Sequence, residues 1–252
     1  NEARAIVAFN GELQQLLLGA FPELAPKVFI VPQAVTTPLV PHESAAARDA
    51  ARAALWPTLA LEPSDKLLLL PAGLRPVKDV LWAAEAFDRL HAADPAVCVR
   101  IVGPSLDSTY AESVEAALGA LAHPRAVVFC GALPQAELHH AMLAAKAVLN
   151  TSSSEGMCNS ILEAFLLGTP VVARHNSGNA ALITHRSTGL LASSADELVE
   201  LTAALLADEC HAAALAAGAK AHVDAHHSVA REAEMYAEVV DFALREGKPE
   251  GL

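Results

Sequence analysis

Aromatic residues are scarce in this chain, 4% of 252 positions, although 53% of the residues are hydrophobic. Its core must therefore be built from Ala, Leu and Val, which suits Ala-rich helices packed on a parallel sheet. Cysteine is sparse too. Cys98, Cys130, Cys158 and Cys210 lie far apart with no C-x-x-C pair, so neither a disulfide framework nor a zinc site is indicated. Cys98 and Cys130 fall in apolar, strand-like runs and read as core residues. Positive charge is in short supply: 17 Lys and Arg face 29 Asp and Glu, a net charge of -12. That balance argues against nucleic acid as a partner and against an anionic membrane surface. An anionic ligand would have to be held by local cations and helix termini. Apolar runs long enough to span a bilayer are missing, and the first residues lack a signal-peptide pattern, so a cytoplasmic location is expected. The chain opens on Asn1-Glu2-Ala3 without Met and reads as a piece of something longer.

What is present is alternation. Short apolar runs at residues 5–9, 27–31, 66–72, 97–102, 126–130 and 146–150 read as strands. Between and after them, helical spacing appears at 11–21, 44–55, 79–92, 110–121, 134–144, 161–167, 195–207, 209–223 and 228–244. A further strand ends near Val172, and residues 182–183 and 189–191 read as short strands or turns. Residues 33–38 resemble a linker and 246–252 a frayed tail. In the last helix, Val229, Ala233, Tyr236, Ala237 and Val240 are expected to form the apolar face. Regular strand–helix alternation indicates an α/β fold with a Rossmann-like, doubly wound parallel sheet.

One stretch stands out. After the apolar run 146–150 come the turn and cap residues Thr151, Ser152, Ser153 and Ser154, then Glu155-Gly156-Met157-Cys158-Asn159 and the start of a helix. Loops at the carboxyl ends of parallel strands are where such sheets bind ligands, and amides at a helix start face anions well. Two acids, Glu155 and Glu163, then need a reason. Hydroxyl donors of a polyol would satisfy both carboxylates. Read from the residues alone, Glu155 equally fits a partner of the helix dipole and Glu163 an exposed acid. The loop after the 66–72 strand, Gly73-Leu74-Arg75-Pro76-Val77-Lys78, adds two cations at another strand end. They suit a diphosphate or a solvated surface pair. A thiol such as that of Cys158 at a helix start would have a lowered pKa, although a passive small residue fits there as well. The paired His139-His140 and His226-His227 have no ligand partners at metal spacing and read as surface residues.

The wording around Glu155 and Glu163, with Gly156, Leu162 and Ala164 beside them, resembles the E-x7-E motif of the glycosyl transferases group 1 family (family 4), retaining enzymes of the GT-B fold. The run Ala72–Asp79, followed by Ile101–Pro104, narrows the likeness to one subtype. The resemblance implies the C-terminal half of a GT-B glycosyltransferase. Residues 1–37 would be the end of the N-terminal acceptor domain and a linker, 38–225 the nucleotide-sugar domain, and 226–252 a C-terminal helix and tail. It implies transfer of a sugar from a nucleoside diphosphate sugar to an acceptor, with no metal and no cofactor. Lys78 and Arg75 would stabilise the departing diphosphate, and Glu155 would hold the transferred sugar. Glu163 would take the ribose hydroxyls, backbone groups of Gly131, Ala132 and Leu133 the base, and those of Gly156, Met157, Cys158 and Asn159 the sugar and phosphates. The family Arg usually stands where this chain has Gly73. That departure keeps open a second reading, an inactive nucleotide-binding or interaction module derived from a GT-B half.

Overall fold

The computed structural model describes residues 3–36 and 44–245. Its elements run β1 (Ile6–Ala8), α1 (Gly11–Ala20), β2 (Val28–Ile30), α2 (Ala45–Leu55), β3 (Lys66–Pro71), α3 (Ala84–Ala93), β4 (Val97–Val102), α4 (Ser108–Gly119) and β5 (Val127–Phe129). They continue α5 (Gln135–Ala144), β6 (Ala147–Asn150), α6 (Asn159–Leu166), β7 (Val171–Arg174), α7 (Ser177–Leu182), β8 (Leu190–Ala192), α8 (Ala195–Ala207), α9 (Glu209–His226) and α10 (Val229–Arg245). The chain divides into two units: residues 1–36 with 222–252, and residues 37–221.

In the first unit β1 and β2 pair in parallel, Val7 opposite Phe29. Ala8, Leu24 and Val28 form a small core under Leu13, Leu17 and Leu18 of α1. Phe29 meets Phe242 of α10 edge-on, with ring centroids 4.9 Å apart. The buried residue of α10 is Val239. Val229, Tyr236 and Val240 are exposed, so the expected apolar face is not the buried one. Packing on Phe29 selects the Val239–Phe242 side, a few residues round the helix from the face that hydrophobicity alone favours. His227, read as a surface residue, is buried and hydrogen-bonds through Nδ1 to the Gln33 carbonyl at 2.8 Å.

The larger unit holds a six-stranded, all-parallel sheet in the order β5-β4-β3-β6-β7-β8. Counted within the sheet this is 3-2-1-4-5-6, the doubly wound order of dinucleotide-binding folds. Leu68, Leu70, Val99, Ile101, Leu149 and Val172 face the layer of α3, α4 and α8. Strand side chains alternate, so Leu67, Leu69, Val148, Val171 and Ala173 turn to the opposite layer. There α5 and α6 pack on the sheet and α2 packs on α5. Both faces are covered, which is why the strands read as continuous apolar runs.

α3 starts at Ala84, five residues later than the expected start at residue 79. Asp79 takes a left-handed conformation, φ 41°, and residues 80–83 form turns, so the apolar spacing there belongs to a loop packed on the core. The expected turn near 182–183 is the end of a helix, α7, capped by Asn176, whose Oδ1 accepts from the Asn179 amide at 2.9 Å. Residues 37 and 38 of the expected linker and the tail 246–252 lie outside the described residues. Among the described residues no helix is long and apolar enough to cross a membrane.

One strand position breaks the apolar pattern. Arg100, in the middle of β4, is completely buried. Its guanidinium donates to four backbone carbonyls: Leu59 at 2.7 Å, Ala60 and Val99 at 3.0 Å, and Arg125 at 3.1 Å. A buried charge survives only when its donors are satisfied, and the planar fork serves four acceptors that an ammonium could not. Arg100→Lys should therefore destabilise the protein by about 2–3 kcal/mol, read as a lowered midpoint in urea denaturation.

Candidate functional site

The strand order reverses between β3 and β6, and the loops at their carboxyl ends lie side by side there. Crevices of this kind bind ligands in open α/β sheets. The two loops are stitched together by hydrogen bonds to backbone carbonyls. The Ser153 amide donates to the Val77 carbonyl at 2.9 Å, and Thr151 Oγ1 donates to the Lys78 carbonyl at 2.9 Å. A short helical turn, Pro76–Lys78, then presents Lys78. Its Nζ lies 2.6 Å from Glu155 Oε1, and both side chains are largely buried.

Glu155 Oε1 accepts two further hydrogen bonds, from Ser152 Oγ at 2.7 Å and Asn150 Nδ2 at 3.2 Å. Among the described residues nothing bonds its Oε2. Burial opposes the charged form of Glu155, but Lys78, Ser152 and Asn150 together outweigh it and hold the carboxyl below its ordinary value. Asn150, the last residue of β6, organises this cluster with all its hydrogen-bonding capacity in use. Its Nδ2 also donates to Cys158 Sγ at 3.2 Å, and its Oδ1 accepts from the Ser152 amide at 3.1 Å and Asn179 Nδ2 at 2.9 Å. Asn179 Nδ2 also reaches the Arg174 carbonyl, and Asn176 Nδ2 reaches the Ser152 carbonyl. Arg174 pairs with Asp79 at 2.7 Å and lies over the Trp82 ring, 4.5 Å from its centroid. At Gly178 the backbones come so close that an added Cβ would sit 2.0 Å from the Glu155 carbonyl oxygen.

The second acid, Glu163, lies in the middle of α6 and is mostly buried, not an exposed acid. Gln135 Nε2 donates to its Oε1 at 3.3 Å, and His139 Nε2 lies 3.6 Å from the same oxygen. His139 is fully buried, a correction to its reading as a surface residue. α5 turns it inward onto α6, while His140 beside it is half-buried. The Cys158 thiol also departs from the lowered pKa a helix start suggests. Burial pushes it up, and the nearby Glu155 charge adds to that.

The other expected residues are spread around the cleft. Arg75 is exposed and, among the described residues, makes no ion pair. Gly73 is half-buried beside Leu106, whose Cδ1 would lie 2.7 Å from an added Cβ. Gly131 has φ +75° and its carbonyl accepts from the Gly103 amide at 2.9 Å, fixing the loop that continues through Ala132 and Leu133. Gly156 is exposed, Met157 half-buried, and Asn159 opens α6 without a side-chain cap from Cys158. So Lys78, Glu155 and Cys158 come together through Asn150, whereas Glu163 belongs to a separate cluster with α5. Sequence reasoning overlooked Asn150, Ser152, Asn176, Asn179 and Arg174. The one available signal was Asn176-Ser177-Gly178-Asn179, a cap-like run after a strand. Among the described residues no group of three His, Cys, Asp or Glu side chains is placed to hold a metal ion.

A parallel sheet in this order, with a lysine and a carboxylate paired at its switch point, defines a doubly wound α/β domain with its candidate site at that point. The glycosyl transferases group 1 family matches residues 57–222, and the chain belongs to that family. Glycosyltransferase 1 domain-containing protein 1 of Xenopus tropicalis, the subtype that Ala72–Asp79 resembles, is 33% identical over 238 residues, covering 93% of this chain and 66% of the relative. Among solved structures, Anabaena HepE in complex with UDP and glucose superposes with a TM-score of 0.80 at 21% identity, over 95% of this chain and 63% of HepE. A glycosyltransferase from Rickettsia africae gives 0.84 at 16% identity, over 96% and 64%. The fold is that of a GT-B glycosyltransferase. The chain spans just under two thirds of the length of these relatives.

Two consequences are measurable. Gly178→Ala forces a backbone collision with the Glu155 loop and should destabilise by more than about 2 kcal/mol, seen as a lower melting temperature. Because folding lowers the Glu155 pKa, its contribution is complete above the ordinary carboxylate range and is lost as pH falls below it. Glu155→Gln should therefore lose less melting temperature than the wild type on acidification below about pH 5.

Proposed function

We propose that this chain is the donor-binding part of a retaining, metal-independent glycosyltransferase of family 4, moving a sugar from a nucleoside diphosphate sugar to an acceptor in the cytoplasm. The observation that carries the reading is the Lys78–Glu155 pair at the β3/β6 switch point, a partly buried cation and carboxylate at the place where this sheet type binds nucleotides. The named UDP and glucose complex of HepE, which shares the fold, supports a sugar nucleotide as the donor class. Residues 1–37 would then belong to the end of an acceptor domain and a linker, 38–225 form the donor domain, and 226–252 carry the C-terminal helix.

The chemistry follows from charge. Negative charge develops on the diphosphate as the sugar leaves, and a preorganised cation there lowers the barrier without a metal. Lys78 is that cation, and Arg75, exposed on the same loop, adds a second when phosphate is present. With its Oε1 tied to Lys78, Ser152 and Asn150, Glu155 offers Oε2 to hydroxyls of the sugar. Glu163, held at Oε1 by Gln135, offers its other oxygen to the ribose. Amides at the start of α6, from Gly156 to Asn159, take the phosphates and sugar, and the Gly131–Leu133 loop takes the base.

A second reading has its own observation. Gly73 stands where the family cation usually falls, and Leu106 fills the space beside it, which favours a module that binds nucleotide without turnover. Calorimetric titration with UDP, GDP and ADP, with and without Mg²⁺, separates the cases. Metal-independent binding of one nucleotide is expected, with Lys78→Ala weakening it at least about tenfold. Binding without sugar transfer by the whole protein would favour the module. No binding by a folded protein would reject the donor site.

A further inference from the structure

His139 is a buried group beside Glu163 that the proposed chemistry leaves unused. It is completely buried on α5, and among the described residues neither ring nitrogen has a hydrogen-bond partner. Buried polar groups are nearly always paired, and an unpaired one lowers stability. Its neighbours Ala141, Met142 and Leu143 are buried and apolar, so a Leu or Phe would suit the site better. A residue that works against stability in this way calls for a role elsewhere.

The geometry supplies one. His139 Nε2 faces Glu163 Oε1 at 3.6 Å, slightly beyond hydrogen-bond reach. Gln135 lies one helical turn earlier on the same helix and donates to the same oxygen at 3.3 Å. Two donors spaced i, i+4 on α5 therefore converge on one oxygen of a carboxylate carried by α6. A carboxylate only accepts, so Nε2 is the donor of any bond formed between them. Among the described residues nothing bonds Glu163 Oε2.

We infer that His139 is a positioning residue for Glu163, fixing its rotamer from behind so that Oε2 is presented to the ribose of a bound nucleotide. This rests on the reading of Glu163 as the ribose-binding acid. A small rotation of Glu163 when ligand arrives brings Oε1 within bonding distance of Nε2 and satisfies the imidazole. The helix that carries His139 also begins directly after the Gly131–Leu133 loop. The same rigid element thus sets the spacing between the base site and the ribose site.

The test compares wild type, His139→Leu, His139→Gln and Glu163→Gln for binding of whichever of UDP, GDP and ADP the wild type takes, and of its 2′-deoxy form, with a melting curve for each. His139→Leu should weaken nucleotide binding by roughly tenfold. It should also reduce the preference for ribose over deoxyribose towards the Glu163→Gln value, with melting temperature equal or higher. His139→Gln, whose amide nitrogen can take the place of Nε2, should restore most of the affinity. Wild-type affinity and ribose preference in His139→Leu, alongside losses in Glu163→Gln, would overturn the inference. So would a fall in melting temperature with ribose preference unchanged. Unchanged binding in Glu163→Gln would instead reject the underlying ribose reading. If His139→Leu does not fold, His139→Phe is read against the same outcomes.

Discussion

The contact between Lys78 and Glu155 holds the cleft together. It joins the loops that leave the two central strands, β3 and β6, at the point where the sheet changes direction. Bringing a carboxylate and an ammonium out of water is costly, and their attraction roughly offsets the cost only when the remaining hydrogen bonds are made. Here they are made on one oxygen, by Lys78, Ser152 and Asn150 together. An apolar pair of similar volume would be about as stable, so stability alone does not account for these two residues. Exposed pairs elsewhere, such as Arg89–Asp196, are worth well under about 1 kcal/mol.

Around that pair the polar network is built from asparagines. Asn150, Asn176 and Asn179 come from β6, from the cap of α7 and from α7 itself, and their side-chain amides tie the end of β6 and the loop after it to the end of β7 and the start of α7. An amide both donates and accepts, so a few such groups can satisfy a crowded interior where a charge would need a counter-charge. Networks of this kind resist partial loss, since each bond left unmade strands a buried group. The near-contact of Gly178 with the Glu155 backbone adds a steric constraint to the same loop.

Much of this was legible in the sequence. The parallel sheet announced itself because strands covered on both faces are apolar throughout, as in Leu67–Leu70 and Ala147–Leu149. Glu155 and Lys78 stood out because charged residues follow those runs at strand ends, and Glu163 because it interrupts an apolar helical run. What stayed hidden is what periodicity cannot encode. Val80 and Ala83 have helical spacing but pack from a turn, because Asp79 reverses the backbone before them. α10 buries Val239 and Phe242 packs on Phe29, whereas the most hydrophobic stripe is exposed. His139 looked like a surface residue because a helix alone does not say which neighbour it will meet. The asparagine network was invisible because asparagine is common in loops and its partners come from distant segments.

Arg100 bears on how this fold could be inherited. Two of its four carbonyl partners, Leu59 and Ala60, lie upstream of the first strand of the sheet, in the segment that connects α2 to β3. A piece beginning at Lys66 would contain all six strands and yet leave a fully buried guanidinium half unsatisfied. Any recombination that moved this domain between proteins would have had to cut earlier, carrying Leu59 and Ala60 along with the strand they serve. The family match, which begins at residue 57, starts just upstream of that pair. The sheet is therefore complete only together with the short segment whose carbonyls satisfy the guanidinium buried within it.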